Sequence, residues 1–218
     1  MQYISTRNSS LRKSFSEVLL GGLAPDGGLY MPQQTPRFSI DQIENLNSLT
    51  YQELTTEILH QFVSDEITKK DFENIVNNAY QVFDSKDVVN LVKLEDQRWI
   101  LELFHGPTLA FKDVAMQLLG TLLNHFAQKK ETKIAVLGAT SGDTGSAAIS
   151  ACSRYQNVEV FILYPHERIT EVQRKQMTTT QAKNVHALSV QTNFDGCQAM
   201  VKQLFLDESI LSNQTRFV

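Results

Sequence analysis

A single lysine held between a Pro/Gly turn and an apolar helix pattern is where this chain first offers chemistry. The stretch reads His105-Gly106-Pro107-Thr108-Leu109-Ala110-Phe111-Lys112-Asp113. It places the amine of Lys112 at or near a helix N-terminus, where a positive charge is disfavoured. A lysine in that setting gives up its proton more readily than a solvated one, as an amine nucleophile must. Taken alone, Lys112 would be read as a surface lysine at a helix start. What counts against that reading is a second unusual loop one βα unit further on.

The second loop is Gly138-Ala139-Thr140-Ser141-Gly142-Asp143-Thr144-Gly145. It follows the apolar run 133–137, which reads as a buried parallel strand. It precedes Ser146-Ala147-Ala148-Ile149-Ser150-Ala151-Cys152, a helix of small residues. Its glycines let the backbone turn sharply and come close to a ligand. Successive amides at a helix start form a concave donor site for anions. Thr140, Ser141 and Thr144 add hydroxyls. Alone, the loop could equally be a tight βα turn with glycines for packing. It is neither a G-x-G-x-x-G dinucleotide turn nor a P-loop, since no Gly-Lys-Ser/Thr follows.

The surrounding pattern has to hold these two loops. Residues 86–218 alternate between strand and helix. Strands are expected at 88–94 and 98–104, with a helix at 114–126. Then strands at 133–137, 158–163 and 185–190 alternate with helices at 144–155, 170–178 and 194–205. Such alternation predicts right-handed βαβ units, a parallel sheet and helices on its faces. Ligands bind such sheets at the carboxyl ends of the strands, so both loops could share one crevice. Residues 1–85 read as a mostly helical first domain. Capping boxes start helices at Ser14 with Glu17, Ser39 with Gln42 and Thr50 with Glu53. Leu54, Ile58 and Phe62 share one face of the third helix. Thr68 opens a fourth, with Phe72, Ile75, Val76 and Ala79 inward. Ala24-Pro25-Asp26-Gly27-Gly28 is a turn leading to a short strand at 29–31. The final residues, 211–218, carry no clear signal.

Composition sets the class. The 218 residues are 42% hydrophobic, enough for a core in a globular protein. A net charge of -4, without a basic cluster interleaved with aromatics, argues against nucleic acid as a partner. The apolar runs are too short for a membrane span, and no secretory h-region opens the chain. A cytoplasmic location is expected. Cys152 and Cys197 read as buried free thiols, and no Cys/His cluster has metal-ligand spacing.

At residues 105–113 and 139–145 the chain resembles threonine synthase, a pyridoxal-phosphate family with the tryptophan-synthase-β-like fold. Further matches are Ile162-Leu163-Tyr164-Pro165, Asn193-Phe194-Asp195-Gly196-Cys197-Gln198-Ala199 and Gly27-Gly28-Leu29-Tyr30-Met31-Pro32. The resemblance covers nearly the whole chain in the family's order, and Asp143 is the residue usual for this branch. It implies an α/β enzyme that converts O-phospho-L-homoserine and water to L-threonine and phosphate. It implies that Lys112 holds pyridoxal phosphate covalently and shuttles protons at the substrate's α and β carbons. Ser141, Gly142, Asp143 and Thr144 inherit a cofactor-binding role. Thr140, Ser141, Thr144 and His105 inherit contacts to substrate.

His105 reads either as that contact or as a turn histidine capping the backbone. Asp113 reads either as the lysine's electrostatic partner or as a helix-dipole carboxylate. Arg168, Arg174 and Lys175 read as a substrate-phosphate contact or a solvated helix face. Two in-class alternatives are a dehydratase and a cysteine synthase, disfavoured by the His-Gly-Pro-Thr run and the helical N-terminal region. Another is a threonine-synthase-like protein that binds cofactor without making threonine. The family's phosphate-holding glycine loop and the residue facing the pyridine nitrogen are not found up to Val218. The chain therefore reads as an N-terminal portion with weak cofactor binding, little activity of its own and a tendency to self-associate.

Overall fold

A computed structural model describes residues 1–22, 24–206 and 215–218, and it divides into the units Met1–Asn78 and Ala79–Val218. In the first unit, β1 (Tyr3–Ser5) pairs antiparallel with both β2 (Arg12–Lys13) and β3 (Tyr30–Pro32), in the order β2-β1-β3. The reading of a mostly helical start with one short strand missed two strands. At 3 and 2 residues they are too short to show an alternating pattern. The expected turn is pinned to β1. Ser5 Oγ donates to both Asp26 carboxylate oxygens, at 2.9 and 2.8 Å, and Gly28 N donates to Asp26 Oδ1 at 2.9 Å. The Gly28 amide bond and the Ser5 bonds hold the Asp26 carboxyl below the usual carboxylate range.

Helices α1 (Phe15–Gly21), α2 (Ile40–Leu46) and α3 (Tyr51–Val63) start at the three expected capping boxes, on Ser14, Ser39 and Thr50. Helix α4 (Lys69–Tyr80) starts at Thr68, whose hydroxyl accepts from Asp71 N at 3.2 Å. Phe72, Ile75, Val76 and Ala79 are buried, as their spacing required. On α3 the burial differs from the expected stripe. Thr55, Thr56 and Val63 are buried, while Leu54, Ile58 and Phe62 are half-buried. Thr56 can be buried because its hydroxyl donates to the Gln52 carbonyl at 2.9 Å.

The second unit begins with an antiparallel hairpin, β4 (Asn90–Glu95) and β5 (Arg98–Glu102). The alternating part follows: α5 (Lys112–Lys129), β6 (Lys133–Ala139), α6 (Asp143–Cys152), β7 (Val158–Pro165), α7 (Glu171–Thr178), β8 (Val185–Val190), α8 (Phe194–Leu206) and β9 (Thr215–Phe217). Strands β8-β7-β6-β9 form one sheet, parallel throughout. Strand β9 lies in the tail that carried no signal. It is an edge strand of 3 residues, and tertiary pairing with β6 rather than local pattern makes it a strand. Residues 211–214 lie outside the described residues.

Consecutive residues of β7 face opposite layers, as a strand requires. Leu163 packs with Leu137, Ala139 and Val190 against Cys197 and Val201 of α8. Its neighbour Ile162 faces Gly145 of α6. Helices α5 and α6 pack so closely that a Cβ on Gly120 would lie 2.7 Å from the Ala151 carbonyl oxygen. Both cysteines are buried free thiols. Burial pushes the Cys152 thiol up to about 12 and raises that of Cys197.

Candidate active site

Between β5 and α5 the chain closes on itself. Asp113 is fully buried, and its two carboxylate oxygens accept from Thr108 N at 2.8 Å and Thr108 Oγ1 at 2.9 Å. Burial raises the Asp113 carboxyl above its ordinary range, and the two Thr108 bonds pull the other way. Gly106 leaves room for this clasp, since a Cβ there would lie 2.4 Å from Asp113 Cβ. Leu109 donates to the Gly106 carbonyl at 3.0 Å and sits in the left-handed region at φ 60°. A non-glycine residue held there is a strained position, of the kind that clusters at functional sites. Lys112 follows as the first residue of α5. It is half-buried, its Nζ lies 4.6 Å from the Phe111 ring centroid, and it makes no ion pair among the described residues. The Asp113 carboxylate is therefore committed to Thr108, a use that neither sequence reading of Asp113 contained.

His105 faces the hairpin. Its Nε2 lies 2.8 Å from Glu102 Oε2 and 3.1 Å from Asn90 Nδ2, and its ring lies against Phe104. The side chain is 20% exposed.

The second loop joins β6 to α6. The buried Thr140 hydroxyl accepts from Gly142 N and Gly145 N, both at 3.0 Å, and donates to the Gly142 carbonyl at 3.1 Å. Its bonds thus shape the loop from inside. Gly142 has φ 153°, which L side chains rarely adopt. Gly145 must be glycine for space, because a Cβ would lie 2.5 Å from Thr140 Cγ2 and 2.9 Å from Ile162 Cγ2. Ser141, Asp143 and Thr144 are exposed. Their amides meet no acceptor among the described residues. This leaves donors and the positive end of the α6 dipole facing outward.

Helix α7 touches both loops. Gln173 Nε2 donates to Asp143 Oδ1 at 2.8 Å, and Gln176 Nε2 donates to the Thr108 carbonyl at 3.1 Å. Sequence reasoning missed Thr108, Gln173 and Gln176 as site residues. The one available signal was the capping box of Thr170 with Gln173, which marks a helix start but not its neighbour. Arg174 and Lys175 pair with Glu171 on the exposed side of α7, and Arg168 is exposed.

An amine with no carboxylate partner among the described residues and a helix start with outward-facing amides are thus tied to one another through α7 in an α/β unit. Residues 89–216 match the family described as pyridoxal-phosphate dependent enzyme, and the chain belongs to that family. Residues 2–80 match the threonine synthase N terminus, so within the family its likeness is to threonine synthases. The threonine synthase of Pseudomonas aeruginosa is 49% identical over 218 residues, covering 100% of this chain and 46% of that protein. Threonine synthase-like 2 of Xenopus laevis is 39% identical, covering 97% of this chain and 45% of that protein. Among solved structures, PLP-bound threonine synthase from Brucella melitensis superposes with a TM-score of 0.92 at 45% identity, covering 100% of this chain and 47% of that one. The chain thus spans about half the length of the relatives it matches.

Proposed function

We propose that the full-length protein is a cytoplasmic threonine synthase. It would convert O-phospho-L-homoserine and water to L-threonine and phosphate with pyridoxal phosphate as cofactor. The observation that carries this is Lys112 at the start of α5, held by the Asp113–Thr108 clasp and tied through α7 to the donor face of α6. The residues fit the cofactor: an amine with no ion pair among the described residues can bind an aldehyde, and outward amides can bind anions.

When bound, pyridoxal phosphate supplies an electron sink for a carbanion beside the substrate nitrogen. Lys112 Nζ holds the cofactor and moves protons at the substrate's α and β carbons. The amides and hydroxyls of Ser141 and Thr144 bind the substrate carboxylate and fix its orientation. Thr140 keeps those amides in place. His105, steadied by Glu102, contacts the substrate. Overall the Cγ–O bond to phosphate and one Cβ–H bond break, Cγ gains a proton and becomes the methyl group, the oxygen of water becomes bonded to Cβ as that water loses a proton, and threonine and phosphate leave.

A second reading is a threonine-synthase-like protein that binds cofactor through Lys112 without making threonine. Incubating the full-length protein with O-phospho-L-homoserine separates the two. Threonine formation is expected, whereas bound cofactor with no threonine would establish the second reading.

We propose further that the 218-residue chain self-associates through its hairpin. Leu91, Trp99 and Leu101 are 61%, 53% and 52% exposed on a two-stranded sheet with open edges. Sedimentation at rising concentration should show species heavier than the monomer, and a single monomeric species throughout would refute this.

A further inference from the structure

We propose that Gln173 is a positioning residue that sets the donor face of α6 relative to the lysine loop, with Gln176 anchoring the same helix to that loop. The inference rests on the reading that these two loops form the cofactor and substrate site. The two glutamines lie one helical turn apart on α7, so their side chains share a face. Gln176 reaches the Thr108 carbonyl at 3.1 Å, and Thr108 is the residue that clasps Asp113. Gln173 reaches Asp143 Oδ1 at 2.8 Å. One rigid helix therefore fixes both loops.

Gln173 carries two jobs on two different atoms. Its Oε1 accepts from Thr170 N at 3.3 Å and Thr170 Oγ1 at 2.9 Å, which completes the α7 capping box. Its Nε2 is left for Asp143. The side chain also fills the space over Gly142, where a Cβ would lie 2.2 Å from Gln173 Nε2. Gly142 can thus keep its unusual backbone only with nothing between it and Gln173. With Asp143 turned towards Gln173, its carboxylate does not fold back onto the amides of its own helix start, the usual fate of an acidic residue there. The amides of Ser141 and Thr144 stay available for a ligand anion.

The two jobs can be separated by substitution in the full-length protein. Gln173→Met keeps the bulk over Gly142 and loses the side-chain half of the capping box and the Asp143 bond. Thr170→Ala loses the hydroxyl half of the capping box and keeps the Asp143 bond. Gln173→Glu keeps the cap through a carboxylate oxygen and loses the Asp143 bond. Exchange of the hydrogen-bonded amides of Gly142, Gly145 and Ser146, read without cofactor or substrate, should quicken about tenfold in both Gln173 variants and stay unchanged in Thr170→Ala. In the loaded enzyme, Gln173→Met should raise KM for O-phospho-L-homoserine about tenfold, with the cofactor's visible absorbance retained and kcat less affected. Thr170→Ala should lower only thermal stability. If exchange of the Gly142, Gly145 and Ser146 amides in Gln173→Glu matches wild type, or if Thr170→Ala and Gln173→Met behave alike, Gln173 is a helix cap and nothing more. Should the wild type fail to turn over O-phospho-L-homoserine, the functional reading fails while the exchange measurement still decides the role of Gln173.

Discussion

Replacing Lys112 by alanine in the full-length protein is expected to lower turnover about 10^3-fold or more and to abolish covalent attachment of the cofactor. The size of the effect follows from what the fold spends on this one amine. The loop before it is closed by a buried carboxylate, a glycine with no space for a Cβ and a leucine in the left-handed region. All of this places one residue at the start of α5 and gives it no ion-pair partner among the described residues. Lys112→Arg should be nearly as damaging, because a guanidinium keeps the charge but stays protonated and cannot act as a nucleophile. Mass spectrometry after borohydride reduction reads attachment, and stopped assays read turnover. An alanine variant that retained the mass of the cofactor would place the attachment on another lysine.

The second large effect is expected at the clasp. Asp113→Ala should destabilise the protein by about 2 kcal/mol, because the half-buried Thr108 amide and hydroxyl lose their acceptor and the space of a fully buried side chain is left empty. Turnover should fall with it, since the loop holding Lys112 is no longer closed. Asp113→Asn should be milder. Its carboxamide oxygen can accept from the Thr108 amide, and the Thr108 hydroxyl can turn to accept from the NH2 group. The two variants also differ in pH dependence. The Asp113 carboxyl is raised in the folded state, so the stability it contributes is full below the unfolded carboxylate pKa and is lost as pH rises through the folded one. Asp113→Asn lacks that loss and should therefore gain on wild type as pH rises through this window. Urea unfolding at several pH values reads both quantities. A loss from Asp113→Ala no larger than that of a surface substitution would contradict the clasp.

The alternating half of the fold was legible because β6, β7 and β8 are runs of 7, 8 and 6 residues rich in Val, Ile and Leu, set between helix patterns. Strand β8 runs from Val185 to Val190 as its pattern required. Helix starts were equally legible, since a capping box is written in adjacent residues: Ser14, Ser39 and Thr50 all open helices. The strands β1, β2 and β9 were not, because pairing rather than local pattern makes them strands. The same contrast holds at the site. Lys112 and the loop at 140–145 stood out through glycines and helix starts that the sequence displays. The bonds from Gln173 to Asp143 and from Gln176 to Thr108 join residues separated by 30 and 68 positions, and nothing local announces them. Asp113 was visible only as a first-turn carboxylate, because its burial depends on Gly106 being too small to interfere.

The central claim, that the amine of Lys112 drives threonine formation, is tested most directly by one paired assay. Full-length wild type and Lys112→Ala are incubated with pyridoxal phosphate and O-phospho-L-homoserine, and threonine and phosphate are measured together. Equal amounts of both products from wild type, and neither from Lys112→Ala, is the predicted result. Phosphate without threonine, or threonine formed equally well by Lys112→Ala, would contradict it.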